Sequence, residues 1–258
     1  MDIKHLHQTV DSLFSGRLTY MMLLQEIAEN FYPERADFTI RRTHGNEFAA
    51  DLMTSYPILT RRDLGDQIGQ MLRPSSTEWF RMSPNGGEKA DNVGRRWLEE
   101  MSRRQRQAMY ARSAHFNRAT KEGDHDFAAF GGCVISCRLN KNADNLLFRN
   151  YHIRDVVWEE NDEGEIGLVA RKWKPTVREL VQIFGGRTHE KVRKENEKKP
   201  FTKIDCYHFV VEADYYDKSA GGLPYWSIYY DAENQHIMEE IAVGDNEYRV
   251  PRWQTVSG

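Results

Sequence analysis

The densest acid and base cluster in the chain is Asp124-His125-Asp126. Two carboxylates beside an imidazole could hold a hydrated divalent ion or exchange protons with a substrate, the chemistry of a metal-dependent nuclease or phosphodiesterase. The triplet also fits a structural role, with Asp124 capping a short helix from Phe127 to Phe130 and Asp126 favoured by its dipole. No second carboxylate cluster accompanies it, which favours the structural role. Cys133, Cys137, Cys206 and His208 are further potential ligands. On a strand rising ~3.3 Å per residue, Cys133 and Cys137 stand about 13 Å apart, too far for one tetrahedral zinc, so buried thiols are expected. Phosphate-cradling loops are missing: the sequence contains neither G-x-x-x-x-G-K-[ST] nor G-x-G-x-x-G. G-x-S-x-G is absent too, and His189-Glu190 has no second His three residues on. These residues point to a protein that is not an enzyme and needs neither metal nor cofactor.

Charge offers a different chemistry. Between Arg95 and Lys121 there are eight basic residues (Arg95, Arg96, Arg103, Arg104, Arg106, Arg112, Arg118 and Lys121) against Glu99 and Glu100. With Trp97, Tyr110 and Phe116 interleaved, such a face could contact phosphates and stack on bases, as a DNA-binding module does. Trp97 and Phe116 equally fit an apolar stripe turned to the core, which leaves the arginines as a solvated or inter-subunit face. The aromatics Tyr207, Tyr215, Tyr216, Tyr225, Trp226, Tyr229 and Tyr230 suit either a sheet core or a subunit interface.

The elements that must position these residues are α+β. Ile3, Leu6, Val10 and Leu13 recur at helical spacing as far as Ser15-Gly16, and a second helix runs from Leu18 to Asn30, before Tyr32-Pro33. A third starts at Thr60, where Thr60-x-x-Asp63 resembles a capping box, and buries Leu64, Ile68 and Met71 before Pro74. Glu78 to Met82 reads as extended. After an Asn85-Gly86-Gly87 turn, a long amphipathic basic helix is expected from about Ala90 to Glu122, with Trp97, Leu98, Met101, Ala108, Met109 and Phe116 on its apolar side.

Beyond Gly123 an antiparallel β-rich region is expected. Strands fall near Cys133 to Leu139, Leu146 to His152, Val156 to Glu159 and Ile166 to Trp173, and again at Ile204 to Asp214, Tyr225 to Tyr230 and His236 to Val243. Thr176-x-x-Glu179 opens a helix from Val177 to Phe184 that Gly185-Gly186 stops, and a charged helix lies within Arg187 to Lys199. The division is 1–122, mainly helical, and 123–258, β-rich, within one composite domain.

Composition sets the outer limits. The chain has 258 residues, a net charge of -3, 40% hydrophobic and 29% charged residues, and a mean hydropathy of -0.73. That balance excludes disorder and a membrane-embedded chain, and the longest apolar run, Tyr20 to Leu24, is far short of the ~20 residues of a spanning helix. A mildly acidic total argues against a protein that coats nucleic acid with its whole surface. Three cysteines cannot build a disulfide framework and point to a reducing compartment.

The order of segments resembles the head-to-tail connecting (portal) proteins of short-tailed, podovirus-type phages. The residues that carry it are Leu24-Gln25-Glu26-Ile27-Ala28-Glu29 leading into Pro33-Glu34-Arg35-Ala36-Asp37-Phe38, then Leu72-Arg73-Pro74-Ser75-Ser76 into Trp79-Phe80-Arg81, and Trp97-Leu98-Glu99. Ser113 to Asn117, Phe127 to Cys133, Arg178 to Gly185 and Val250-Pro251-Arg252-Trp253 continue it. The resemblance implies a wing-like α+β body and a ring, usually of twelve subunits, at the capsid vertex. It implies major capsid and scaffolding proteins, terminase and tail adaptor proteins as partners, and double-stranded DNA passing through the channel without sequence recognition. It places the protein at the head-tail junction of the virion, and in the host cytoplasm during assembly, with no membrane partner. Relatives continue past this point into stem, clip and crown, so the chain corresponds mainly to the N-terminal part of the wing. Arg95, Arg96, Arg103, Arg104, Arg106, Arg112 and Arg118 then become candidates for facing DNA or a neighbouring subunit.

Overall fold

Local chemistry sets most helix ends. Asp2 accepts from the His5 N–H and opens α1 (Ile3–Gly16); Arg17 ends it, and α2 (Leu18–Phe31) follows. The computed structural model describes residues 1–40, 45, 52–74, 77–84, 90–216 and 218–253, so the Asn85-Gly86-Gly87 turn and Ser75-Ser76 lie outside the described residues. The third helix, α3 (Tyr56–Leu72), begins four residues before the expected start. Pro57, in the first turn, is the overlooked signal, since its missing N–H costs nothing there. The Thr60 hydroxyl donates to the Tyr56 carbonyl inside the helix instead of capping it. Glu78 to Met82 forms no strand; the Met82 N–H donates to the Ser102 hydroxyl.

The expected long helix is two. After α4 (Asn92–Tyr110) the backbone turns extended at Ala111, makes one 3-10 turn at Arg112–Ala114 and enters the left-handed region at His115, and α5 (Phe116–Phe130) then begins. No Gly or Pro marks the break. Its physical reason is the pocket of core that Ala114, Phe116, Ala119 and Phe148 make together, with the Phe116 and Phe148 rings 5.0 Å apart. Burying Phe116 there outweighs continuing one helix. The separate helix expected from Phe127 to Phe130 is the last turn of α5, which Gly131 stops at φ 72°.

The seven expected strands form as β1 (Val134–Leu139), β2 (Leu146–Tyr151), β3 (Val156–Glu160), β4 (Ile166–Trp173), β5 (Cys206–Glu212), β6 (Tyr225–Asp231) and β7 (His236–Val243), and a short β8 (Tyr248–Arg249) is added that the pattern did not indicate. Between β4 and β5 lie α6 (Val177–Phe184), whose Thr176 and Glu179 form the full capping box, and α7 (Glu190–Lys198). The fold is therefore α+β with antiparallel sheets.

Two compact units share the chain. One comprises Met1–Tyr20 and His152–Glu247. Its sheet is a five-stranded antiparallel meander in the order β3-β4-β5-β6-β7. Because side chains alternate along a strand, Tyr207, Phe209 and Val211 of β5 meet Leu6 and Val10 of α1, while Cys206 joins Val177, Leu180, Phe184 and Val192 of α6 and α7. The central strand is thus covered on both faces. Tyr207, Tyr216, Trp226 and Tyr230 are core residues here, whereas Tyr215 is exposed. Arg17 stabilises the start of this unit's sheet by donating to the carbonyls of Ile153, Arg154 and Val156, and its burial lowers its pKa to about 10.

The second unit comprises Met21–Tyr151 and Tyr248–Gly258 and holds a three-stranded sheet in the order β2-β1-β8. Its α3 and α5 approach closely at Gly65 and Gly69. That contact corrects the expected burial of α3: Arg61 and Gly65 are buried, while Leu64 and Met71 are exposed, Met71 by 82%. Small residues one turn apart let the helices meet backbone to side chain, and the bulky apolar residues are left outside. On β1, Ser136 faces inward, so Cys137 is exposed and only Cys133 and Cys206 are the buried thiols expected. Burial pushes the Cys133 thiol up to about 12.

Candidate functional site

Asp91 opens α4 by accepting from the Gly94 N–H at 2.7 Å, and the helix then carries its arginines almost wholly in solvent. Only Ser102 of α4 is buried. Trp97, expected in a core stripe, is 60% exposed. Five of the seven candidate arginines are held within the chain. Arg103 and Arg104 converge on Glu100, donating at 2.7–2.9 Å and 2.8 Å, and those two hydrogen bonds lower the Glu100 pKa. Arg95 donates to Asn92, Arg106 donates to the Thr77 carbonyl and lies 6.0 Å from the Tyr110 ring, and Arg118 pairs with Glu122 on α5. Arg96 and Arg112 have no hydrogen bond or ion pair with the described residues. Because the break at residues 111–115 intervenes, Arg112 and Arg118 do not belong to the α4 face.

The Asp-His-Asp triplet sits in the second half of α5 rather than at a helix start. Each member is taken by a different partner. Arg35 donates to both carboxylate oxygens of Asp126 at 2.9 and 2.5 Å, and Asn150 adds a third hydrogen bond at 2.6 Å. Burial opposes the charge of Arg35, but the Asp126 carboxylate beside it leaves the pKa raised. Arg73 pairs with Asp124. His125 accepts at Nδ1 from Arg61, 2.9 Å away, and its Nε2 lies 3.4 Å from Asp66, itself paired with Lys121. Arg61 is further held by the Phe31 carbonyl and by the Tyr32 ring, 3.8 Å from its guanidinium carbon. Burial first, and the Arg61 charge second, hold the His125 pKa below its usual range.

This arrangement pairs Asp124 and Asp126 with arginines and gives His125 a hydrogen bond from Arg61, and it is suited to fixing α5 against α3 and β2. Among the described residues no three His, Cys, Asp or Glu side chains are placed to hold a metal ion. The sequence pointed to the triplet but not to Arg35, Arg61 and Arg73, which come from 91, 64 and 51 residues away. The spacing Arg61-x-x-x-Gly65-x-x-x-Gly69 was the signal available for the contact they serve.

A comparison with protein families matches residues 3–258 to one described as bacteriophage head to tail connecting protein. The chain belongs to that family. A comparison with curated proteins finds no match. As a head-to-tail connector, the protein is a structural component of the phage particle and its place is the junction of head and tail, in assembly with capsid and tail components. The match supports neither a nuclease nor a free-standing DNA-binding module. Among the described residues no helix of the connector is long and apolar enough to cross a membrane.

Proposed function

We propose that the connector is a portal subunit: a non-enzymatic member of a ring, usually of twelve copies, at the capsid vertex through which DNA is packaged and ejected. The observation that carries the reading is the family match over essentially the whole chain. In this reading residues 1–122 supply the mainly helical part of a wing and residues 123–258 its β-rich part leading toward a stem. Major capsid and scaffolding proteins surround the ring, a separate terminase supplies force during packaging, and tail adaptor proteins bind below. The missing phosphate loop agrees with a separate motor, and the net charge of -3 suits a channel that must release DNA. Double-stranded DNA is cargo, and assembly begins in the host cytoplasm.

In this proposal the arginines of α4 serve as an inter-subunit face rather than as phosphate contacts, and Arg112 and Arg118, beyond the break, are separate inter-subunit candidates. Glu159 near the end of β3 and the exposed turn with Asp162 and Glu163 form a complementary acidic surface for them. Particle images of the purified protein, with mass measurement in solution, test the ring. Arg103→Glu with Arg104→Glu also sets three carboxylates on one turn around Glu100, and should shift rings toward monomers while DNA affinity hardly changes. Intact rings that lose salt-sensitive DNA binding would overturn the inter-subunit role. Magnesium-dependent DNA cleavage abolished by Asp124→Ala or Asp126→Ala would overturn the non-enzymatic reading.

A further inference from the structure

Trp97 departs from its sequence pattern, and an exposed indole on a helix needs a reason. Val93 lies one turn before it on the same face and is 74% exposed, and Arg96 completes the patch three residues after Val93. The neighbouring Glu100 is already neutralised by Arg103 and Arg104, so the patch presents apolar surface and one cation, Arg96, whose side chain has no partner among the described residues. Trp and Arg are the side chains most enriched at the energetic centres of protein interfaces.

A cavity of matching character lies in the unit built from Met1–Tyr20 and His152–Glu247. Its volume is about 200 Å³, and its apolar surface comes from Leu6, Leu168, Val211 and Tyr215. Glu159 and Glu160 stand at its rim with Met1, which carries the α-amino group, and its lining includes no Lys or Arg. The Glu159 side chain makes no hydrogen bond or ion pair with a described residue. The volume is below the ~300–1,000 Å³ of ordinary small-molecule sites, which suits one large side chain. An apolar floor under an acidic rim suits an indole accompanied by a guanidinium.

We propose that Trp97 and Arg96 of one copy dock in this acid-rimmed cavity of a second copy, Trp97 on the apolar floor and Arg96 against Glu159; this deepens and rests on the ring reading. Both surfaces belong to every copy, but they are different surfaces. One copy can therefore use each surface toward a different neighbour, which is the head-to-tail arrangement of a ring. Charge complementarity within one sequence favours a second copy as occupant over a different protein.

The test uses the full chain and measures self-association by mass photometry and sedimentation across a concentration series. Trp97→Ala and Glu159→Lys are each expected to weaken it by ~30-fold, with circular dichroism unchanged because both positions are exposed. Arg96→Glu combined with Glu159→Lys in one chain should recover much of the loss, since the charge pair is restored at every contact. In a Cys137→Ser background, chains carrying Trp97→Cys and chains carrying Tyr215→Cys, mixed with oxidised glutathione as the two-electron acceptor, should form an inter-chain disulfide. Unchanged association in Trp97→Ala overturns the docking and leaves the ring reading standing if the unaltered chain still assembles. A loss in Trp97→Ala with none in Glu159→Lys gives the cavity another occupant and also overturns the docking. An unaltered chain that stays monomeric throughout overturns both.

Discussion

Gly65→Ala isolates the contact between α3 and α5. A Cβ built at Gly65 would stand 2.6 Å from Nδ1 of His125 and 3.1 Å from its Cγ and Cε1, so the ring must move. Nδ1 is also the atom that accepts from Arg61, and moving it breaks that hydrogen bond. Overpacking costs ~1–3 kcal/mol and the loss of a bond to a charged donor ~1.5–3 kcal/mol. Alanine's better helix propensity returns ~1 kcal/mol, leaving a net destabilisation of ~1.5–5 kcal/mol. Equilibrium urea unfolding followed by circular dichroism measures it. Gly16→Ala is the control, because a Cβ there meets nothing within 4 Å and the change should be neutral or slightly stabilising. The decisive measurement repeats Gly65→Ala in a His125→Ala background, where space is available and the substitution should stabilise by up to ~1 kcal/mol. A cost that persists at ~2 kcal/mol or more without the imidazole would refute the packing argument.

Arg35→Ala should cost ~3–5 kcal/mol in the same unfolding assay, because it strands Asp126, only 2% exposed, with Asn150 as its remaining donor. His125 supplies a pH dependence: its folded pKa lies below the unfolded value of ~6.5, so the unfolded chain binds more protons in acid. Its contribution is whole above pH ~6.5 and is lost as pH falls through the lower folded pKa; His125→Gln should flatten that part of the stability profile. Thr176→Ala removes one half of the α6 capping box and should cost ~1 kcal/mol, with Ser restoring most of it.

Legibility in the sequence tracked how local the deciding interaction is. The strands from β1 to β7 were readable because alternation and turn residues are local, and the α6 cap because Thr176 and Glu179 are three residues apart. The break before Phe116 was not, since its reason is Phe148 on a strand far along the chain. The same holds for Asp124, His125 and Asp126, whose three arginines lie on other elements. Trp97 misled for a different reason. A periodic apolar stripe reports that a helix face seeks cover, and says nothing about whether its own chain or another provides it.

The interleaving of the two units along the chain sets a schedule for synthesis. α1 leaves the ribosome well before the strands it packs on, since the residues that bury Leu6 and Val10 run from Val157 to Val211 and beyond. At roughly 5–20 residues per second, the roughly 200 residues between Val10 and Val211 take on the order of 10–40 s to appear. During that interval a 14-residue helix with nothing to pack against is marginal in water. The apolar stripe of α1 is thus a nascent-chain liability, open to chaperones and to premature pairing with other chains, until β5 arrives to claim it.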